Sequence, residues 1–232
     1  MDSVSNVGVL DKAVGVLRAL ERLGGPATLA QLQLQTGLPR ATAHRLAGAL
    51  EQHGLLRRDG DGRYRLGFAL LALGRAAADG FPLAESAGPA LLALRDETGE
   101  SVQLFVREGD ARRCVVSLQS SHGLRWIVAE GALLPLAVGS AGKVLAGAAN
   151  PSARRGATSW VQSVEEREPG VASVSAPILN AGGEVLAAVS VSGPVERLGR
   201  RPGQAVGARV VTAAATISAT LSGVGHHLPA SR

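Results

Sequence analysis

The 232-residue sequence predicts an α+β protein in two parts, a small winged helix-turn-helix followed by a larger domain of mixed helices and strands. Three observations carry that expectation. Two helical repeats near the N-terminus are joined by a short glycine-containing turn, a basic hairpin follows them directly, and two more hairpin signals lie in the second half. The length fits a small module plus a medium one.

The first helix follows from Val9, Ala13, Val16, Leu17, Leu20 and Leu23, which recur at helical spacing until Gly24-Gly25-Pro26 stops them. Thr28, also expected among the DNA-binding residues, is placed to cap a short second helix that turns Leu29, Leu32 and Ala30 inward and ends at Thr36-Gly37. Pro39 suits the first turn of a third helix with an apolar stripe of Ala43, Leu46, Ala47 and Leu50. Its outward residues are Arg40, Thr42, His44 and Arg45, gathered at the end where a recognition helix reaches base edges. Arginine can donate two parallel bonds to guanine, threonine can meet a phosphate or a thymine methyl, and histidine can donate to either kind of acceptor. Two short strands, carrying Arg57-Arg58 and Arg63-Tyr64-Arg65, flank Asp59-Gly60-Asp61-Gly62 and form a basic wing.

Charge is distributed in the same sense. Residues 1–75 hold ten Lys or Arg against six acids, and residues 76–232 hold fourteen against thirteen, so the first third carries +4 of the net +5. Alone, that excess fits either a solvated basic face or an anionic partner. With the helix pair and the wing, it points to double-stranded DNA.

Residues 67–79 read as a linking helix ended by Gly80-Phe81-Pro82, with an apolar stripe that packs on the module or on a second subunit. Beyond it, 84–98 reads as a helix interrupted near Gly88-Pro89, and strands at 101–107 and 113–120 flank Glu108-Gly109-Asp110. Segments 170–178 and 185–192 pair around Asn180-Ala181-Gly182-Gly183. A last helix runs from about 204 to 222, and 224–232 form a frayed tail. The boundaries expected are 1–66, 67–82 and 83–223.

Several function classes lose support. Apolar runs are short, as at Val185–Val191 between Glu184 and Ser192-Gly193-Pro194, and no basic cluster with an apolar run follows Met1, so a soluble cytoplasmic chain with no membrane role is expected. Cys114, the one cysteine, fits a reducing compartment and reads as a buried structural thiol. His44, His53, His122, His226 and His227 have no spaced partners for a metal or a nucleophile, which argues against an enzyme and leaves no cofactor implied. Gly139-Ser140-Ala141-Gly142-Lys143, between a strand ending at Leu136 and a helix from Gly142, could favour an anion. It is no P-loop, because Ala137 and Val144 stand where glycine and Ser or Thr are needed.

The segments VLDKAVGVLRALE, LPRATAHRLAGALE, GRYRLG, GSAGKVLAG, EREPGVASVSAPI and AAVSVSGPVERL together resemble the IclR family of transcriptional regulators, most closely those of amino-acid biosynthesis operons such as leucine. The resemblance implies a GAF-like effector-binding domain behind the winged helix-turn-helix, a dimerising linking helix, and homodimers or homotetramers on palindromic operators. It places a small carboxylate or amino-acid effector at Ser140, Ala141, Ser163, Ser173, Ser190 and Ser192. The serines then either bond a small polar metabolite without a strong counter-charge or are inward residues of a packed sheet. An acidic residue is common in the family at the place of Ser163. Lys143 either pairs with Glu166 or Glu168 or points into water, and Trp126 and Trp160 either wall the pocket or pack the core. One departure stands out: between Ala149 and Trp160 the chain is shorter than the family pattern by about a helix and its loop. That leaves two readings of the second domain, an effector sensor or a domain that only oligomerises.

Overall fold

A computed structural model of the chain describes residues 7–79, 83–147 and 159–223. The stop at Gly80-Phe81-Pro82, the shortened 150–156 segment, His226, His227 and the frayed tail lie outside the described residues. The chain divides into two compact units, Met1–Phe81 and Pro82–Arg232.

In the first unit, α1 (Gly8–Leu23) buries Val16, Ala19 and Leu20 and stops at Gly24 in the left-handed region. Thr28 caps α2 (Leu29–Thr36) reciprocally: its hydroxyl accepts from the Gln31 N–H, and the Gln31 side chain accepts from the Thr28 N–H at 2.8 Å. The third helix, α3 (Arg40–Gln52), starts one residue later than the sequence suggests, with Pro39 just outside as the capping residue and its carbonyl accepting from Ala43. Ala47 and Leu50 of α3 join Val16, Leu20, Leu32, Leu56 and Tyr64 in one core.

Strands β1 (Leu56–Arg58) and β2 (Tyr64–Leu66) pair antiparallel, with Arg57 opposite Arg65. Two reciprocal backbone bonds between Ala27 and Tyr64, at 2.9 and 2.8 Å, tie the hairpin to the residue ahead of the Thr28 cap. The wing is thus anchored to the helix pair by backbone as well as by the Tyr64 ring. A Cβ at Gly67 would lie 2.0 Å from the Gly54 carbonyl oxygen, so only glycine fits where the hairpin turns into α4 (Ala69–Asp79). On α4, Leu71 and Leu73 are exposed.

In the second unit the elements follow as α5 (Leu83–Thr98), β3 (Ser101–Glu108), β4 (Ala111–Leu118), β5 (Leu133–Pro135), α6 (Ser140–Leu145), β6 (Val161–Val164), β7 (Val171–Leu179), β8 (Val185–Pro194), α7 (Val195–Leu198) and α8 (Pro202–Gly223). The strands form one six-stranded antiparallel sheet in the order β5-β4-β3-β8-β7-β6. Alternation along the strands gives the sheet two unlike faces. Val102, Leu104, Val174, Ile178, Val189 and Val191 are fully buried on the face that carries α5 and α8. The opposite positions, Gln103, Phe105, Ser173, Ser175, Ser190 and Ser192, share the face with α6.

Two sequence expectations are corrected here. The helix at 84–98 is not interrupted: α5 runs continuously with Pro89 inside it. Proline removes one backbone bond, but Leu83, Ala87, Leu91 and Leu94 bury one stripe of the helix along its whole length, and that burial outweighs the loss. The apolar runs are also longer than supposed, since the helix over Pro202–Ser222 is long and apolar enough to cross a membrane by length and composition. In this fold it packs on β7, burying Val210, Ala214 and Ile217, and its Ser218 hydroxyl accepts from the Leu179 N–H at 2.9 Å. Trp160 lies over Gly203 and Gly207 of the same helix, where a Cβ would meet its ring at 2.1 and 2.9 Å.

The Thr28 cap gives a direct test. Thr28→Ala removes one half of the reciprocal pair and is expected to lower stability by about 1 kcal/mol, read as a fall in Tm of the full chain.

Candidate nucleic-acid interface and ligand cavity

The first half of α3 presents Arg40, His44 and Arg45 to solvent, with Thr42 half-buried beside them. Among the described residues no side chain pairs with Arg40, His44 or Arg45, so their donors are free for an outside acceptor. Thr28 is exposed at the head of α2, but its hydroxyl is already spent on the cap.

The four wing arginines differ in kind. Arg58 stacks on the Tyr64 ring at 4.7 Å, donates to its hydroxyl at 2.9 Å and pairs with Glu51 of α3 at 3.2 Å. Arg65 pairs with Asp59 at 3.3 Å across the hairpin. The backbone N–H of Arg63 foremost, with the Arg65 guanidinium and the Asp61 N–H, holds that Asp59 carboxyl below the usual range. Arg57 stacks on Phe68 at 4.8 Å, and its buried Nε has no acceptor. Arg63 is exposed at the tip, with no side-chain partner among the described residues. Of the basic residues read from the sequence, Arg40, Arg45 and Arg63 are therefore the uncommitted cations, while Arg57, Arg58 and Arg65 also shape the wing.

In the second unit, Ser140, Ala141, Ser163, Ser173, Ser190 and Ser192 all line one cavity on the α6 face of the sheet, of about 40 Å³. Register explains the convergence: Ser163 stands opposite Ser173, Ser173 opposite Ser192, and Ser175 opposite Ser190. Most of these hydroxyls have partners within the protein. Ser140 bonds Ser173 and Ser175, each at 2.7 Å, Ser192 donates to the Gln103 carbonyl oxygen at 2.8 Å, and Ser163 bonds Glu166.

The loop before α6 is likewise occupied. The Gly139 N–H donates to Glu166 at 3.1 Å, and Lys143 pairs with the same carboxylate, so the anion suited to this loop is one of the protein's own. Burial opposes ionisation of Glu166, but the bonds from Lys143, Gly139 and Ser163 overcome it and hold the carboxyl below its usual value.

The same cavity holds residues that sequence reasoning missed. Gln103, Arg112 and Arg167 line it, with Phe105, Trp126 and Val128. Arg112 is almost wholly buried and donates to the Val138 carbonyl at 2.7 Å and to the Pro135 carbonyl. Burial, reinforced by the charge of Arg167, pushes its guanidinium down to about 10. Arg167 stacks on Trp126 at 4.9 Å. The expectation of a pocket without a strong counter-charge is thus corrected: two guanidiniums line it. Trp126 walls the cavity, whereas Trp160 packs on α8. No cluster of His, Cys, Asp and Glu that could hold a metal occurs among the described residues.

Two tests follow from these environments. Glu166 ionises more readily folded than unfolded, so its contribution is complete above the ordinary value of 4.5 and is lost as pH falls through the lower folded value. The Tm gap between wild type and Glu166→Gln should therefore narrow as the pH drops below 4.5. Burial pushes the Cys114 thiol up to about 12, with Glu130 adding to the effect. Since only the thiolate attacks, iodoacetamide at pH ~8 should leave Cys114 unlabelled in the native chain and modify it after unfolding.

The comparisons with known proteins fit both halves. Residues 9–60 match the IclR helix-turn-helix domain. The bacterial transcriptional regulator IclR C-terminal domain matches in two pieces, residues 75–158 and 152–219, which overlap at 152–158. The HTH-type transcriptional regulator KipR of Bacillus subtilis is 34% identical over 49% of this chain and 45% of its own length. The transcriptional repressor IclR of Escherichia coli is 24% identical over 96% of this chain and 93% of its own. Among solved structures, an IclR homologue from Microbacterium hydrocarbonoxydans, complexed with 4-hydroxybenzoate, superposes with a TM-score of 0.78 at 21% identity, over 93% of this chain and 99% of that one. The helix pair with its basic wing, the six-stranded sheet and both matched domains place the chain in the IclR family of bacterial DNA-binding transcriptional regulators, which are not enzymes.

Proposed function

We propose that this regulator controls a metabolic operon in the cytoplasm by reading a palindromic operator through α3 and the wing, in response to a small metabolite held in the sheet cavity. The observation that carries the DNA half is the free cluster of Arg40, His44 and Arg45 at the start of α3. Base edges are read from that end of a recognition helix, while Thr42 and Arg63, with any free edges of Arg57, Arg58 and Arg65, serve backbone contacts. Thr28 acts here through the cap that sets α2.

The sensing half draws support from the six residues that meet at one cavity, Ser140, Ala141, Ser163, Ser173, Ser190 and Ser192. The bound 4-hydroxybenzoate of the Microbacterium homologue supports a carboxylate as the class of effector. A metabolic target is in keeping with the glycerol operon regulatory protein of Streptomyces griseus, 29% identical over 94% of this chain. An amino-acid biosynthesis operon rests on the sequence resemblance alone. A homodimer or homotetramer would bury the exposed Leu71 and Leu73 of α4 and match the two halves of a palindrome.

The test is operator binding by fluorescence anisotropy, with DNA flanking the chain's own gene against random DNA. Arg40→Ala with Arg45→Ala should cost about 1–3 kcal/mol for each lost base contact. Arg63→Ala should weaken binding to all sequences and lower the salt slope by about 1. Unchanged operator affinity in the double variant would sink the assignment of α3. If no acid or amino acid shifts Tm, the second domain serves oligomerisation only.

A further inference from the structure

The sheet cavity measures about 40 Å³, room for about three waters, whereas pockets that take up a metabolite measure about 300 Å³ or more. A space this small accepts an effector only after one of its walls moves. The walls differ in how they are held. The strands that line it are laddered into the sheet, and Arg112 pins the segment before α6. The turn between β6 and β7 is closed by backbone, with the Glu165 N–H donating to the Val171 carbonyl and the Val195 N–H to the Gly170 carbonyl, each at 2.8 Å. The remaining wall is the stretch 121–127 between β4 and β5, which brings Trp126 to the cavity. Among the described residues, no backbone group of 121–127 bonds another backbone group. Its polar bonds are local: the His122 N–H donates to Ser120 Oγ at 3.1 Å, and Arg125 donates to Gln119 at 3.0 Å and to the His122 carbonyl at 3.3 Å. Every residue of the stretch except Trp126 is exposed, Leu124 at 71%. Both ends are fixed. Buried Ser120 donates its N–H to Ser101 Oγ at 3.1 Å and its hydroxyl to the Gly99 carbonyl at 2.5 Å, and Val128 is buried in one core with Phe105 and Cys114. Between these anchors the stretch is held by the Trp126 ring, packed at the edge of that core and stacked on the Arg167 guanidinium at 4.9 Å.

Resting on the reading of this cavity as the effector site, we infer that 121–127 is a strap that opens as a unit to admit the effector, with Trp126 on Arg167 as its latch. Segments with few buried side chains and few backbone bonds open on their own, at a cost far below that of unfolding the sheet. Since Trp126 and Arg167 both line the cavity, an occupant that touches both favours the closed strap, and strap position is linked to occupancy.

The experiment reads strap opening in the full chain without a ligand, as native-state trypsin cleavage after Arg125 followed by mass spectrometry. A protease takes a bond only when the chain around it leaves the body of the fold, and the rate tracks that open population. Arg167→Gln removes the latch, and Arg167→Lys keeps a cation over the ring. Cleavage after Arg125 should outpace cleavage after Arg95 of α5 and Arg113 of β4, which needs the unit to unfold. It should rise about two- to fivefold in Arg167→Gln and stay near wild type in Arg167→Lys. Acrylamide quenching of Trp126, read in a Trp160→Phe chain, should rise in parallel, and the Tm of each variant reports that the sheet is intact. Cleavage after Arg125 that is unchanged in Arg167→Gln, or that rises only in step with cleavage after Arg95 and Arg113, would overturn the strap and leave the sensing role in place. The sensing reading fails separately: no Tm shift across a panel of organic acids and amino acids, with pyruvate, 4-hydroxybenzoate and leucine among them, would overturn it and with it the strap's role as an entry.

Discussion

A single buried cation organises the second unit. Taking a guanidinium out of water costs several kcal/mol unless its donors are met, and Arg112 meets that cost with the carbonyls of Pro135 and Val138 and the face of Phe105 at 5.4 Å. Those carbonyls lie at the end of β5 and in the segment that leads from it to α6, so the arginine holds that segment against the sheet. A Cβ at Gly142 would lie 2.1 Å from the Leu136 carbonyl oxygen and 2.7 Å from Arg112, and one at Gly139 would lie 3.2 Å from Arg112. The two glycines of the GSAG segment are consequences of this close approach. Ser140 and Ala141 reach the cavity because the chain between them and β5 is pinned there.

The first unit shows a comparable division of labour among like charges. Arg58 straps the wing to α3 through Glu51 and Tyr64, and Arg65 braces the turn through Asp59, so part of the basic count serves the fold. A paired arginine adds little net field beyond its acid, whereas Arg40, Arg45 and Arg63 keep theirs. Net charge per unit therefore overstates the cations available to a phosphate backbone, and geometry identifies which ones remain.

The sequence was most legible where the determinants are local. Helical spacing, the Thr28 cap and the glycine stops at 24 and 37 act within a few residues of chain, and the three N-terminal helices could be drawn from them. The serines came from family resemblance, and strand register explains why they share a face. Gln103, Arg112 and Arg167 escaped because their partners lie far along the chain, as with Arg112 and Val138. Parity held the missing signal: Gln103 alternates with Phe105, and Arg112 with Cys114, which the sequence already marked as buried. Two positions from Cys114 on the same strand, Arg112 shares its face and is buried with it. Pro89 misled for the opposite reason, since a local rule was outweighed by burial along α5.

The stack of Arg167 on Trp126 bears on how two cations share one small cavity. Two guanidiniums lining one small space repel each other, and burial alone would drive Arg167 toward solvent. The electron-rich ring face holds the guanidinium with about 0.5–2 kcal/mol. Glu168, exposed and also lining the cavity, raises the proton affinity of Arg167. A carboxylate partner inside the fold would neutralise the same charge but would also spend the donors, as Glu100 does to Arg197 at 2.5 and 2.7 Å elsewhere in this unit. An aromatic neighbour holds a cation in place without a paired carboxylate.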